Sequence, residues 1–262
     1  MSNSILSPLS PSSLYSPPLP TSPPAEAPPE MSIDDELPSY SDTLRSGPAK
    51  YACLMLSGTD RIQAISFPYN RRTRDLLVSA LKVGQGVANC DLPEDGVWDF
   101  KLYGKPWSLD SLDAVRAPHI LVSLYTTLAT AGWHPSASVD IVKKKTSHDS
   151  IYFRTGPRIP REFFAITIEE SDKLRLVDAP CQRVKDAFVG ACASQTVQEK
   201  EMGSLVVKFS GTPWTAWKGD NTRGARRVLA AAMERLETAG FELVSSVSLS
   251  GRVMMIFGTR RF

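Results

Sequence analysis

The chain has 262 residues, of which 42% are apolar, and its formal net charge is +2. This apolar content suffices for one large core or two small ones, and the charge lacks the strong basic bias of an extended nucleic-acid footprint. No basic segment followed by an apolar core opens the sequence, and no run approaches ~18 apolar residues. The sequence therefore predicts a soluble intracellular protein, in the cytoplasm with the nucleus as an alternative.

Residues 1–48 are rich in proline and serine. They hold eleven of the twenty prolines, and six carboxylates against one arginine give them a net charge of −5, which leaves +7 for residues 49–262. Such a composition buries too little apolar surface to offset the entropy of ordering, so it predicts a disordered tail with polyproline II character. Four Ser-Pro steps are candidates for proline-directed phosphorylation, with ordinary linker composition as the alternative. They begin at Ser7, Ser10, Ser16 and Ser22.

A short motif lies near the end of this tail. Leu37-Pro38-Ser39-Tyr40 follows three carboxylates and resembles the LPxY variant of the PY motif, which WW domains bind, including those of HECT-type ubiquitin ligases. Leu37 and Pro38 suit a groove shaped for polyproline II, Tyr40 suits an aromatic-lined pocket, and proline has already restricted the chain. The motif predicts a WW-domain partner, with an incidental tetrapeptide as the alternative.

The rest of the chain contains two copies of a unit of roughly 105 residues. Phe100–Trp107 returns as Val207–Trp214, and Thr130–Trp133 returns as Thr238–Phe241, 108 positions later. The common order and near-constant offset indicate a duplication. We assign residues 49–157 to the first copy and residues 158–262 to the second.

Each copy reads as ββαβαββ. In the first copy, apolar strands flank the turn signal Ser57–Asp60, Asn70 is placed to cap a helix, and Trp98–Tyr103 reads as a strand. The face of that first helix is Leu77, Ala80 and Leu81, repeated as Phe188, Ala191 and Cys192.

The second helix of each copy gives the clearest pattern. Its apolar face is Leu121, Leu124, Tyr125 and Leu128, repeated as Leu229, Ala232, Met233 and Leu236. Pro118 suits the first turn or a kink, and Gly132 and Gly240 suit a left-handed helix end. Two closing strands follow, Ser136–Val142 with Ile151–Arg154 in the first copy.

The sequence thus predicts an α+β fold, a tandem duplication of a ββαβαββ-like unit with mostly antiparallel sheets behind a disordered tail. Related units commonly pack about a pseudo-twofold axis, which we expect here, and the short connector Gly156–Pro160 should hold the copies close. The F-K-x-x-G-x-P-W strand end and the A-G-[WF] helix end resemble uncharacterised eukaryotic proteins, many of them fungal, in which like units follow a proline-rich tail. The resemblance implies an architecture and no activity.

The sequence signals no catalytic arrangement. It contains no GxSxG, HExxH or P-loop pattern. Gly84-Gln85-Gly86 follows a predicted helix, so these residues indicate the end of that helix and a loop. We expect surface or capped histidines at His119, His134 and His148, and free buried thiols at Cys53, Cys90, Cys181 and Cys192. No cofactor or metal is predicted, and a non-enzymatic protein is favoured over an unrecognised enzyme. A polar cleft between the copies would support the enzyme hypothesis.

Trp107 and Trp214 recur after a Gly-x-Pro turn in both copies. We expect each indole to be buried at the end of the hydrophobic core. The alternative is a stacking surface for a base or a peptide, to which Trp217 would contribute in the second copy. Asp75 and Asp186 recur beside basic helix starts and are expected to offset them. The candidate anion-binding residues are Arg72, Arg74, Lys143, Lys144, Lys145, Arg226 and Arg227.

Three functional hypotheses follow. The leading one is a non-enzymatic adaptor or regulatory protein, in which the tail recruits a WW-domain protein and the tandem domain binds a second protein. The alternative is a nucleic-acid-binding regulator that uses the basic clusters, with Trp107 or Trp214 as a stacking residue. Its discriminating signature is an affinity that falls steeply as salt rises. A membrane-associated, matrix-like structural protein is a further alternative.

Overall fold

The computed structural model describes residues 48–91, 96–108, 110–141, 149–192, 196–199, 204–215, 219–249 and 251–260. Several predicted features lie outside these residues. They are the proline-rich tail with its Ser-Pro steps and its LPSY motif, the basic run Lys143–Lys145, His148 and Trp217.

The first copy contains six strands and two α-helices among its described residues. They are β1 (Tyr51–Ser57), β2 (Arg61–Ile65), α1 (Arg71–Leu81), β3 (Val87–Asp91), β4 (Trp98–Leu102), α2 (Ala117–Thr130), β5 (Trp133–Val139) and β6 (Ser150–Thr155), with a 3-10 helix, Leu112–Arg116, before α2. The second copy repeats this order. Its elements are β7 (Phe163–Glu169), β8 (Lys173–Val177), α3 (Gln182–Ala191), β9 (Thr196–Glu199), β10 (Leu205–Lys208), α4 (Asp220–Thr238), β11 (Phe241–Leu249) and β12 (Arg252–Thr259).

Each copy forms one six-stranded sheet. The first sheet has the order β3-β4-β2-β1-β6-β5, the second has the order β11-β12-β7-β8-β10-β9, and every described pairing is antiparallel. The predicted α+β fold with two antiparallel sheets is confirmed. The strand count was wrong by one per copy, because β3 and β9 are edge strands. In β3 no side chain is fully buried, so its sequence carries no apolar alternation.

The predicted start of the first helix is confirmed. The Asn70 side chain accepts a hydrogen bond from the Thr73 backbone N–H at 2.9 Å, and Leu77, Ala80 and Leu81 are buried on one face of α1. The equivalent position before α3 is Cys181, which has the same extended backbone and makes no side-chain cap hydrogen bond.

This difference between the copies gives a stability prediction. Asn70→Ala should destabilise the protein by about 1 kcal/mol, because the Thr73 N–H loses its side-chain acceptor. Cys181→Asn should stabilise the protein by up to about 1 kcal/mol, because an Asn oxygen is a better N-cap acceptor than a thiol. Urea unfolding of both variants measures the two changes. Changes of the same sign in both variants would contradict the assignment of these caps.

The duplication also appears in the backbone. Ser66 and Asp178, 112 positions apart, both follow the second strand of their copy with φ of 61° and 55°. Residues other than glycine rarely adopt this left-handed conformation. Its recurrence at equivalent positions indicates that the two copies share one chain path.

The packing of the copies differs from the expected twofold arrangement. Alternate residues of β7 belong to two hydrophobic clusters: Phe163 and Ala165 join the cluster that contains α1, α2 and the first sheet, whereas Phe164 and Ile166 join the cluster that contains α3 and α4. The layers therefore run first sheet, α1 and α2, second sheet, α3 and α4. A twofold axis would bring like faces together, but here α2 of the first copy packs on the sheet of the second.

Helix α2 is the element on which this packing depends. It is buried on nearly its whole circumference, with Leu121 and Leu128 among the residues of the shared cluster. Tyr125 lies edge-on to Phe153 of the first sheet and to Phe163 of the second, with ring centroids 5.4 and 5.7 Å apart. A helix that is apolar all round must be covered all round, which a position between two sheets provides. Among the described residues, no helix is long and apolar enough to cross a membrane.

Candidate functional site

The two repeated tryptophans lie in the turn that follows a strand, as predicted, and differ in burial. Trp107 is 1% exposed and its indole N–H donates to the Arg61 backbone oxygen at 3.0 Å. This burial leaves no ring face for a base, so the stacking alternative is wrong at Trp107. Trp214 is half-buried, edge-on to Phe209 at 5.2 Å, and packs against the second core.

The predicted anion-binding arginines of the first copy lie at the start of α1. Asp75 is 3.0 Å from Arg74 and 3.5 Å from Arg71, which confirms its expected role as the offsetting carboxylate. Arg72 is exposed. In the second copy, Asp186 accepts a hydrogen bond from the Gln182 side chain at 2.8 Å, and its expected offsetting role stays a prediction.

The remaining candidates do not join this cluster. Arg226 and Arg227 are exposed on α4, in the outermost layer of the second copy, and Arg226 donates to the Thr222 backbone oxygen at 3.2 Å. Lys143, Lys144 and Lys145 lie outside the described residues. The described basic candidates are thus distributed over separate helices in different layers.

The described histidines are buried rather than exposed, which corrects the surface expectation and supports the capped one. His119 is 3% exposed, and its Nδ1 lies 2.8 Å from a carboxylate oxygen of Asp178 in the other copy. His134 is 1% exposed, with Nε2 2.6 Å from the Pro157 carbonyl oxygen. Both imidazoles therefore fix chain segments relative to each other. Among the described residues, no His, Cys, Asp or Glu cluster is arranged to hold a metal ion.

The four cysteines are free, as predicted, but only two are buried. Cys53 and Cys192 are buried, whereas Cys90 and Cys181 are partly exposed. Burial raises the pKa of the Cys192 thiol to about 11 and also raises the pKa of Cys53. Since the thiolate is the reactive form, both thiols are poor nucleophiles at neutral pH.

A polar cluster lies where the two copies meet. Arg175 donates to Glu169 at 2.9 Å and to the Ser204 hydroxyl at 3.0 Å, and Arg252 donates to the Ala114 carbonyl oxygen of the first copy at 3.0 Å. Glu169 is 6% exposed, so its charge is compensated inside the protein. Through Arg252, this cluster attaches the second copy to the first.

The described part of the chain has grooves on its surface, of which two bear on function. One, of about 360 Å³, lies between α3 and α4 and is lined by Arg183, Asp186 and Arg235. The other, of about 200 Å³, lies beside the connector and is lined by His134, Pro160 and Arg161. The guanidinium of Arg161 already donates to the Thr259 carbonyl oxygen and to Glu242, so this second groove is built from internally paired groups.

The outward side of the first sheet carries several exposed apolar side chains. We name this surface the open face. Cross-strand pairs place these side chains on it: Tyr51, Cys53, Ile65, Lys101, Val139, Tyr152 and Arg154. Tyr51 is 55% exposed and Val139 is 44% exposed, and Ile141, two residues beyond Val139, is 57% exposed. On the same side of the sheet, Arg61 at the start of β2 forms a half-buried ion pair with Asp99 at 3.0 Å.

The same side of the second sheet is covered. Tyr51 corresponds to Phe163, Val139 to Val247 and Ile141 to Leu249, and these three counterparts are at most 3% exposed. They belong to the cluster that contains α2. The open face is therefore the uncovered version of a surface that binds a helix elsewhere in the same molecule.

Sequence reasoning missed this surface, although the aligned copies carry the signal. Outward positions of α4 are polar where α2 is buried: Arg227 replaces His119 and Glu237 replaces Ala129. The apolar positions of the sheet show no such exchange, because Tyr51 and Ile141 stay large and apolar, whereas Arg154 replaces Gly258 at one end of the face. Comparison of the copies position by position would have indicated that the outward side of α4 is too polar to be covered by another layer. The outward side of the first sheet, in contrast, stays apolar enough to be covered.

The fold defines a tandem α+β protein in which two like domains are stacked head to tail. One family model, designated without an activity, matches residues 50–154 and again residues 162–257. The chain belongs to this family and contains two copies of its domain. The match does not bear on the fungal resemblance or the F-K-x-x-G-x-P-W pattern, which stay predictions.

A solved structure and a search of curated proteins complete the comparison. The crystal structure of a conserved kinetoplastid-specific protein from Trypanosoma cruzi aligns with 39% of this chain and 97% of that chain, at 15% identity and a TM-score of 0.28. A likeness this low carries no argument about fold or function. No curated protein matches the chain.

Proposed function

We propose that this protein is a non-enzymatic adaptor, which recruits a WW-domain protein through Leu37, Pro38 and Tyr40 and binds a second protein on the open face. One observation carries the second half of the proposal. The open face keeps exposed apolar side chains at positions whose counterparts in the other copy are buried against a helix. Exposed apolar surface of this kind is typical of protein interaction sites.

The chemistry of the open face also suits protein recognition. Tyr51 and Tyr152 present large rings with a polar end, which tolerate water when the surface is empty and bury apolar area when it is covered. Arg154 is exposed beside Tyr51, since the two residues are cross-strand partners. A partner can therefore make apolar contacts at the centre and polar contacts at the margin.

Nucleic-acid binding is the second candidate, because tyrosines and cations on one sheet face also suit stacked bases and phosphates. Arg61 supports it less, since Asp99 already neutralises this cation. Salt titration separates the two functions. Phosphate contacts predict an affinity that falls steeply with salt, whereas a mainly apolar protein interface predicts a weak dependence.

A quantitative pull-down tests both halves of the adaptor proposal. Tyr40→Ala should remove a WW-domain protein, because the tyrosine fills the pocket of that domain. The double variant Tyr51→Lys with Ile141→Lys should remove a different protein, because it places two charges on the apolar part of the open face. Both positions are more than half exposed, so each change should alter stability by less than about 0.5 kcal/mol.

Leu112→Lys is the matched control, because Leu112 is 96% exposed and lies on the 3-10 helix, away from the open face. This variant should retain both proteins. An open-face variant that retains every protein bound by the wild type would contradict binding at the open face. Retention of every WW-domain protein by Tyr40→Ala would contradict the role of the tail.

A further inference from the structure

We infer that the open face binds an amphipathic helix of a partner protein, seated as α2 is seated on the second sheet and carrying a carboxylate opposite Arg154. This inference rests on the proposed protein-binding function and specifies its partner. The argument uses the second copy as an internal template for an occupied face.

The template shows what the face binds. On the second sheet, Val177, Val247 and Ile256 pack in the cluster that contains α2, and Tyr125 of α2 lies edge-on to Phe163. The occupant of this face is thus one helix that supplies apolar and aromatic side chains. An added β-strand would pair with a sheet edge rather than with a face, so the geometry of the face favours a helix.

The first sheet keeps the apolar part of this surface. Ile65 stands at the position of Val177, Val139 at that of Val247 and Tyr152 at that of Ile256, by sequence offset and by strand register. Each of these residues of the first sheet has an apolar or aromatic side chain that is able to contact a helix. The two that add a hydroxyl, Tyr51 and Tyr152, also lower the cost of exposure to water in the unbound state.

The charges differ from the template and indicate the chemistry of the partner. On the second sheet, Asp178 contacts His119 of the seated helix at 2.8 Å, and Gly258 pairs with Phe163. The first sheet has the neutral Ser66 in place of Asp178 and the exposed Arg154 in place of Gly258. Relative to the second sheet, the first sheet therefore loses one negative charge and gains one positive charge. A helix complementary to this face carries a carboxylate opposite Arg154 and needs no imidazole opposite Ser66.

A second copy of this chain does not fit as the occupant. The helix that corresponds to α2 is α4, whose outward side exposes Arg227, Glu234 and Glu237. Burying these charges against Tyr51 and Val139 would leave them without water or partners, which costs several kcal/mol per ion. The charged outward side of α4 therefore prevents it from packing on the open face of another molecule of this chain. The open face stays available to a different protein.

Site-directed photo-cross-linking tests the inference on the full chain. Benzoylphenylalanine replaces Tyr51 in one preparation and Tyr152 in another, and each is irradiated in a lysate of cells that express the chain naturally. Both changes keep an aromatic ring at a partly exposed position. A third preparation carries the probe at Glu234, on the outward side of α4, as the matched control.

The expected result is one partner segment cross-linked from both open-face positions and not from Glu234. The modified residues of that segment should be three, four or seven positions apart, because those spacings share one side of a helix. Arg154→Glu should lower the yield at both positions about tenfold, equivalent to about 1.4 kcal/mol, because it replaces attraction with repulsion of the partner carboxylate.

Every other result overturns the inference in a recognisable way. Cross-links to alternate residues of a protein, or an unchanged yield with Arg154→Glu, reject the acidic helix but leave protein binding on the open face in place. Cross-links only to nucleic acid, only to residues 1–47 of this chain, or equally from Glu234 reject both the inference and the proposed second-partner function.

Discussion

Ala129→Glu should destabilise the protein by at least about 4 kcal/mol, whereas the reciprocal exchange Glu237→Ala should cost less than about 1 kcal/mol. The two positions are equivalent in the two copies, 108 residues apart. Ala129 is 0% exposed in the cluster shared by both copies, so a glutamate there buries an unpaired charge. Glu237 is exposed on α4 and pairs only at the surface, with Arg260.

Thermal unfolding at two pH values measures this difference. At neutral pH the loss in Ala129→Glu corresponds to a melting temperature lower by roughly 8–16 °C for a protein of this size. Burial raises the pKa of the introduced carboxyl in the folded state above its unfolded value, so the folded state binds more protons between the two values. Stability must then fall as pH rises through that window, and the penalty should be smaller near pH 4 than at pH 7.

Glu237→Ala is the control for helix propensity and for the loss of the surface ion pair. If both exchanges had similar effects, α2 and α4 would have similar surroundings, and the head-to-tail packing would be wrong. A pH-independent loss in Ala129→Glu would instead indicate a steric effect of the longer side chain.

The elements with strong local patterns could be predicted from the sequence. Helix α2 shows its apolar face through Leu121 and Leu128, and Asn70 is a favourable capping residue directly before an amphipathic run. These signals arise within a few turns of one element and do not depend on its neighbours. The duplication added a second, independent reading of each element.

The arrangement of the copies could not be predicted in the same way. The pattern of α2 already differed from that of α4, because Val122 and Ala129 extend its apolar surface around the helix, where α4 has Ala230 and Glu237. A helix that is apolar all round indicates two covering layers but does not say which sheet supplies the second. The choice depends on contacts between residues far apart in the chain, such as His119 with Asp178.

The candidate site was missed for a related reason. The sequence drew attention to residues that are repeated, such as Trp107, and repeated residues here maintain the shared fold: Trp107 is buried and bonded to the backbone. The open face is distinguished by its different surroundings in the two copies, with like side chains covered in one and exposed in the other. Exposure at Tyr51 is a property of the packing and has no local signal.

Tyr125→Ala should destabilise the protein by about 3–5 kcal/mol, the usual cost of deleting a fully buried aromatic ring. The ring is 0% exposed and contacts Phe153 and Phe163, so it joins the first sheet to the second. Its removal leaves a cavity that α2 cannot close by moving, because a sheet lies on either side. Guanidinium unfolding measures the loss, which approaches the whole stability of many natural proteins.

Two matched variants separate this role from a general effect of core truncation. Met233→Ala removes the counterpart of Tyr125 from α4, where the side chain is only partly buried, and should cost less than half as much. Tyr125→Phe keeps the ring and removes the hydroxyl, so it should change stability by about 1 kcal/mol or less. Equal losses in Tyr125→Ala and Met233→Ala would show that position 125 does not join the copies. A loss confined to the hydroxyl would show that packing of the ring between the two sheets contributes little, and that the copies are held mainly by their polar contacts.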